Sequence, residues 1–419
     1  MIFVGCDVHV RNTCFYATDF DGKRLAHGRV ANTADELRRF CERLMSAVGG
    51  EVQPVRFVLE STTNSRPVQR QLQQAAAAAG FDPVAADVLD ARKLRVIAES
   101  VAKCDAIDTR VLNQLSRANL QLPVCYMPDD EEFALREHLR ARGDLVRMRT
   151  MLKNRVHALL HRRGILTPEQ GLFSQDGRKF LDQLQLDDAG RTIAKHYLTA
   201  LDLFDELIAD SDRDLRQVMR RPRWAKPAAL LQTMPGIGLI TALTLLAELG
   251  DLKRFKSRSA VANYAGLVPV IRDSNNKHYS GGITHRGSSH LRHVLAEAAW
   301  TAVKRVPLYQ ALFARIAERR GKQVAIVAVA RRMLEDSVRM LWKQEAFRFV
   351  PAKIDVGPRS SNSVPKRVPE RVGHGLPSAK ASATASAKVA SIPNGRPRVE
   401  SSVPAAEAAG AEFASSVAG

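Results

Sequence analysis

"FVGCDVHV", residues 3–10, decides the fold. Phe3, Val4, Val8 and Val10 supply the aromatic and β-branched character of a buried strand. Asp7 sits at its centre, where a carboxylate is costly to desolvate unless something pairs with it. A metal ion, a salt bridge or a solvated strand end can each meet that cost, and this strand alone does not choose among them. Working outward, TCFYATDF (13–20) pairs with it as a hairpin. Asp21-Gly22 is a favoured hairpin turn, and KRLAHGRVA (23–31) follows as a third strand. Thr33 caps a helix over 34–49, with Glu36 three residues on completing a capping box. VRFVLES (55–61) is a fourth strand, and 67–80 an Ala-rich helix that Gly80 ends. PVAADVL (83–89) is a fifth strand, and DTRVLNQLSRANL (108–120) a further helix. Three hairpin-connected strands followed by αβα units predict an RNase H-like layered α/β fold over residues 1–125.

The remaining chain is predicted to be helical. "LREHLRARGDLVRMRTMLKNRVHALLHRRG" (135–164) carries apolar residues at three- and four-residue steps, with many arginines between. It predicts a long helical arm or coiled coil within 126–225, able to dimerise, whose arginine face is either solvated or a phosphate track. Residues 226–350 form a mostly helical C-terminal domain. Beyond it, 351–419 contains SAKASATASAKVASIPNG, a composition that predicts disorder.

Charge narrows the function. Lys and Arg number 63 against 44 Asp and Glu, a net +19. From residue 351 onward there are nine Lys/Arg and five Asp/Glu, so +15 belongs to the part expected to fold. That excess predicts attraction to polyanions, nucleic acid first among them. No run of 18 apolar residues predicts a membrane span. MIFVGCDVHV lacks the basic start and cleavage site of a signal peptide. Five scattered cysteines without a CxxC suit a reducing cytoplasm and argue against zinc.

Three further acids join Asp7. Glu60 lies near the end of the fourth strand. In "KCDAIDTRVL", Asp105 and Asp108 are three residues apart, on one face of a helix. Four clustered acids would repel one another, and divalent metal ions of the Mg²⁺ or Mn²⁺ kind resolve that conflict. Downstream, "LLQTMPGIGLITALTLLAELGDLKRF" (230–255) places Gly236 and Gly238 between two helical runs. This predicts a helix-hairpin-helix whose turn presents N–H groups to a phosphate.

"GCDVHV", "LEST" and "KCDAIDTRVL" resemble the DEDD set of the IS-one-ten family of insertion-sequence transposases, and the resemblance continues through "MLKNRVHALLHRRGI". It implies a RuvC-like N-terminal domain in which Asp7, Glu60, Asp105 and Asp108 hold the metal. The stretch 261–300 is similar to the family's second domain, of transposase-20 type. Its pattern is Gly-Leu-x-Pro, four residues, Ser-Gly, then Arg-Gly-x-x-x-Leu-Arg. Gly266, Leu267 and Pro269 match the first part, and Arg286, Gly287, Leu291 and Arg292 the last. Ser274 falls on the family serine, although Asn275 stands where the family has Gly. Ser280, beside Gly281, and Ser288 are the other candidates.

The resemblance implies attack by that serine on DNA to give a covalent phosphoserine. It also implies donor and target double-stranded DNA, a noncoding bridge RNA, and a homo-oligomer, dimer or tetramer, in a cytoplasmic, nucleoid-associated location. Arg286, Arg292, Gly236 and Gly238 are then nucleic-acid contacts. Two other readings stay open: a metal-dependent Holliday-junction nuclease, and a non-catalytic nucleic-acid-binding protein.

Overall fold

The computed structural model describes residues 1–90, 105–118, 122–168, 171–274, 277–284 and 287–348; for 105–107, 271–274 and 277–280 it describes the backbone alone. The tail expected to be disordered, 351–419, lies outside the described residues, as do Asn275 and Arg286.

The N-terminal part is mixed α/β, built on five strands: β1 (Ile2–Val8), β2 (Asn12–Thr18), β3 (Arg24–Ala31), β4 (Val55–Glu60) and β5 (Val84–Leu89). Their order is β3-β2-β1-β4-β5. The first three pair antiparallel, as short connections require. Asp19 accepts from the Lys23 amide at 2.8 Å across the β2–β3 turn, where Gly22 takes φ +91°. β4 and β5 join parallel to β1 and β4 because helices return the chain between them: α1 (Ala34–Ala47) and α2 (Ser65–Ala78).

β1 has both faces covered. Ile2, Val4, Cys6 and Val8 enter the core shared with Leu37, Phe40 and Leu44 of α1 and Val68 and Leu72 of α2. Gly5, on the alternate face, lies under α3 (Asp105–Arg117), whose Leu112 packs on Val58 and Leu89. A strand buried on both faces reads as a continuous apolar run, and in β1 only Asp7 departs from full burial.

The rest is mostly helical. α4 (Asp130–His161) and α6 (Asp188–Met219) are each 32 residues long, with the short α5 (Gln175–Gln183) between them. Arg142 pairs with Asp212 at 2.7 Å, Arg149 with Asp205 at 3.0 Å and Arg163 with Asp187 at 2.7 Å. Partner numbers fall as the arginine numbers rise, so the long helices run antiparallel. This changes the expectation for the arginine face. Several of its cations bridge the two helices and form neither a solvated face nor a phosphate track.

α7 (Pro222–Gln232), α8 (Leu239–Leu249), α9 (Arg258–Tyr264), α10 (Ser289–Arg305), α11 (Pro307–Arg320) and α12 (Lys322–Lys343) follow. They surround a core that includes Leu231, Leu245, Leu295, Tyr309 and Met333. The predicted helical segment here also contains a two-stranded sheet, β6 (Pro269–Ser274) with β7 (Lys277–Ile283). Among the described residues no helix is long and apolar enough to cross a membrane.

Candidate active site

Asp7 and Glu60 come together through strand register. β1 and β4 are parallel neighbours with Cys6 opposite Leu59. The next residue along each strand is Asp7 and Glu60, side by side at the carboxyl ends. Sites of parallel sheets form outside these ends, where the ladder stops and side chains splay. Both acids lie on the face that α3 covers, since Gly5 and Val58 precede them by two residues and pack against it.

Asp7 is 13% exposed, and its Oδ2 lies 3.3 Å from the His9 Nε2. Glu60 is half-buried. The Cys6 thiol behind them is pushed up by burial, then by Cys41 and Asp7, so it stays protonated.

α3 runs opposite to β1. Asn113 contacts the Phe3 carbonyl, and Gly5 faces Thr109 and Asn113. Moving along β1 towards Asp7 therefore moves back along α3 towards its first turn, which carries Asp105 and Asp108. Asp108 is half-buried, and the side chain of Asp105 lies outside the described residues. A helix N-terminus favours carboxylates, so these two acids fit their own element as well. Among the described residues no three His, Cys, Asp or Glu side chains gather at metal-ligating distance. What the fold brings together is a pair of strand-end carboxylates and the acidic first turn of the helix above them. An all-carboxylate donor set suits a hard divalent cation such as Mg²⁺ or Mn²⁺ rather than zinc.

Residues that the sequence did not single out hold the two strand ends. Ser65 Oγ donates to the Glu60 carbonyl at 2.8 Å and accepts from the Thr62 amide at 2.6 Å, which fixes the turn leaving β4. Asn64 donates from Nδ2 to the Val10 carbonyl at 2.8 Å, tying that turn to the loop after β1. Asn32 does the same to the His9 carbonyl, also at 2.8 Å. The signal for Ser65 and Asn64 in the sequence was the Ser/Thr/Asn-rich "STTNS" directly after Glu60, a composition that bonds its own backbone.

The serines occupy a different sheet. Ser274 is the last residue of β6, paired with Lys277, and Ser280 in β7 lies opposite Ile271. Ser288 is the N-cap of α10, its oxygen accepting from the Leu291 amide at 3.2 Å.

The four expected nucleic-acid residues divide. Gly236 and Gly238 do lie in a tight turn, between α7 and α8. Gly236 takes φ +95°, and a Cβ there would stand 2.4 Å from the Ala298 carbonyl oxygen, so helix packing already demands a glycine. Gly238 is exposed, with open space around it. Arg292 donates to the carbonyls of Ala265 and Gly287, both at 3.2 Å. Burial draws its pKa below the ordinary arginine value. Arg286 lies outside the described residues.

Two family models match. The DEDD transposase model of the IS110 group covers residues 4–163, and the transposase model of the IS116/IS110/IS902 family covers 228–314. Together they take in more than half of the chain. The transposase for insertion sequence element IS1111A of Coxiella burnetii is 31% identical over 223 residues, 50% of this chain and 59% of that protein. The IS116 44.8 kDa protein of Streptomyces clavuligerus is 34% identical over 110 residues, 26% of each chain. The pilin gene-inverting protein of Moraxella bovis is 30% identical over 148 residues, 34% of this chain and 46% of that protein. The chain thus spans between 26% and 59% of the length of these curated relatives. With one family model on the segment that carries the strand-end acids and a second on the segment that carries the serines, the chain belongs to the IS116/IS110/IS902 family of transposases.

Proposed function

We propose that this protein cuts and rejoins DNA as an insertion-sequence recombinase, with an RNase H-like domain over 1–125, a helical arm over 126–225 and a serine-bearing domain over 226–350. The observation that carries this reading is the pairing of Asp7 with Glu60 at adjacent parallel strand ends beneath the acidic first turn of α3. Asp7, Glu60, Asp105 and Asp108 would hold Mg²⁺ or Mn²⁺. The ion, when bound, supplies neutralisation of phosphate charge and polarisation of its oxygens.

The chain's own part is nucleophilic. The Ser274 Oγ–P bond forms as the P–O bond to the departing strand breaks. The hydroxyl proton leaves to solvent, and the departing oxygen takes one up. The phosphoserine keeps the phosphodiester's bond energy for rejoining, which hydrolysis would lose. The α7–α8 turn at Gly236 and Gly238 and the segment from Arg286 to Arg292 would lie against nucleic acid. Double-stranded donor and target DNA, a noncoding bridge RNA and a homodimer or homotetramer complete the proposal.

The test is a denaturing gel of labelled donor DNA incubated with each serine variant. Ser274→Ala should bind nucleic acid, form no protein–DNA adduct and give no recombinant, while Ser280→Ala keeps partial activity. An adduct that persists in Ser274→Ala and vanishes in Ser280→Ala moves the nucleophile to β7. Clean cleavage without adduct by the unmodified protein would establish a hydrolytic junction nuclease instead.

A further inference from the structure

Asn113 stands two turns beyond Asp105 on α3 and is 1% exposed. Its Nδ2 donates to the Phe3 carbonyl at 2.7 Å and to the Tyr16 carbonyl at 3.2 Å. Its Oδ1 accepts from Thr18 Oγ1 at 3.1 Å. One amide therefore bonds to β1 once and to β2 twice, which takes up most of its capacity. Among the described residues the apolar contact beneath α3 centres on Val58, Leu89 and Leu112. Such contact is non-directional and specifies the helix's position along the strands less sharply than a hydrogen bond does. Gly5 sets how closely α3 approaches, because the helix backbone occupies the space a Cβ would need. The bonds of Asn113 are directional and buried, and with the exposed bond from Arg117 to the Phe20 carbonyl at 3.3 Å they help fix the remaining coordinate, the position of α3 along β1. That coordinate decides where the first turn of α3 stands relative to Asp7 and Glu60.

We propose that Asn113 is a positioning residue, anchoring α3 to Phe3, Tyr16 and Thr18 so that Asp105 and Asp108 stand level with Asp7 and Glu60. The affinity of the four acids for a divalent cation then depends on an amide that touches none of them. The proposal rests on the reading of those acids as the metal-holding set. A purely structural role predicts something else: loss of stability with unchanged cation affinity. The same domain supplies the control. Gln69, on α2, donates from Nε2 to the Ala86 carbonyl at 2.7 Å and is 9% exposed. It too is a buried amide tying a helix to a strand, but on the face away from α3.

The experiment is direct Mn²⁺ binding, followed by electron paramagnetic resonance on the full chain, with the unfolding midpoint measured alongside. Asn113→Ala should bind Mn²⁺ about tenfold or more weakly, the range for outer partners that orient metal ligands. Thr18→Val, which removes one of the three bonds, should fall between it and the unmodified protein. Gln69→Ala should lower the unfolding midpoint and leave Mn²⁺ affinity within about twofold, because its bond ties α2 to β5 and does not set the place of α3. Unchanged affinity in Asn113→Ala, or an equal loss in Gln69→Ala, overturns the proposal. Should Asn113→Ala fail to fold, Thr18→Val decides, and unchanged affinity there also overturns it. An unmodified protein that binds no Mn²⁺ removes the reading of the acids and this proposal with it, recognisable because every variant then behaves alike.

Discussion

Gly5→Ala is the smallest change that should separate the acids while leaving each of them in place. A Cβ on residue 5 would stand 2.1 Å from the Thr109 carbonyl oxygen and 2.6 Å from the Asn113 amide nitrogen. Both obstacles are helix backbone, which cannot rotate aside. Relief to an ordinary contact of about 3.5 Å moves α3 by about 1 Å or more. Overpacking of this kind costs about 1–3 kcal/mol. At roughly 2–4 °C per kcal/mol for a chain of this order of size, the unfolding midpoint should fall by about 2–12 °C, short of collapse. Activity should suffer far more, because a misplacement of about 1 Å costs on the order of a hundredfold in rate. The assay is single-turnover cleavage of labelled DNA at saturating Mg²⁺, with thermal unfolding in the same buffer. Gly143→Ala, on α4 where an added Cβ meets open space, is the control and should lose neither. Cleavage by Gly5→Ala within about threefold of the unmodified protein, with a lowered midpoint, would refute the claim that α3 places its two acids from above β1.

Asp7→Ala or Glu60→Ala should abolish strand cleavage and leave nucleic-acid binding intact, and chelation should do the same to the unmodified protein; full cleavage in chelator contradicts it. Nucleic-acid affinity should fall steeply with salt, by a slope near −0.9 per phosphate neutralised on a plot of log affinity against log salt. Arg149→Ala should leave that slope unchanged, because its guanidinium faces Asp205 at 3.0 Å; a slope reduced by about one unit would show that it reaches a phosphate. Partial burial opposes ionisation of Asp129, but Arg223, 2.7 Å away, and the Glu132 amide hold its carboxyl below the usual value. A lowered folded pKa gives stability that is present above the unfolded value and is lost as pH falls through the folded one. The unfolding midpoint should therefore drop below about pH 4 and drop less in Arg223→Met; parallel pH curves would remove Arg223 as the cause.

Five strands were legible because short runs of apolar and β-branched residues alternate with turn and cap residues that have a mechanism. Gly22 and Gly80 take positive φ, and Thr33 accepts from the Glu36 amide at 3.4 Å. The capping box forms only in part, since Glu36 turns to Arg39 at 2.8 Å. The hairpin β6–β7 escaped for an equally local reason. Its first strand is six residues, opens on Pro269 and lies within a helical region, so neither period is established before it ends. Gly5 and Asn113 carry no local signal of their roles. A glycine in a strand reads as weakness, and an asparagine in a helix reads as a mild misfit. Each is explained only by the element that docks on it.

The positive charge shows the same division between what a residue type permits and what its position requires. Composition assigns +15 to residues 1–350 and cannot say which cations are available to a ligand. In the arm, Arg142, Arg149 and Arg163 bridge α4 to α6, and Arg178 pairs with Asp202. Arg136 donates to the Ala247 carbonyl at 2.7 Å, fastening α4 to α8. These contacts follow from helix packing in which cationic positions face anionic positions or carbonyls, and they need no nucleic acid. Arg292 bracing two carbonyls and Gly236 yielding space to Ala298 belong to the same class. A motif match marks such positions whether the constraint behind them is a ligand or a neighbouring helix. Gly238 is the informative exception, because it is exposed and a Cβ there would touch nothing. Packing gives no reason for a glycine at 238, and the phosphate contact proposed for the α8 N-terminus would supply one.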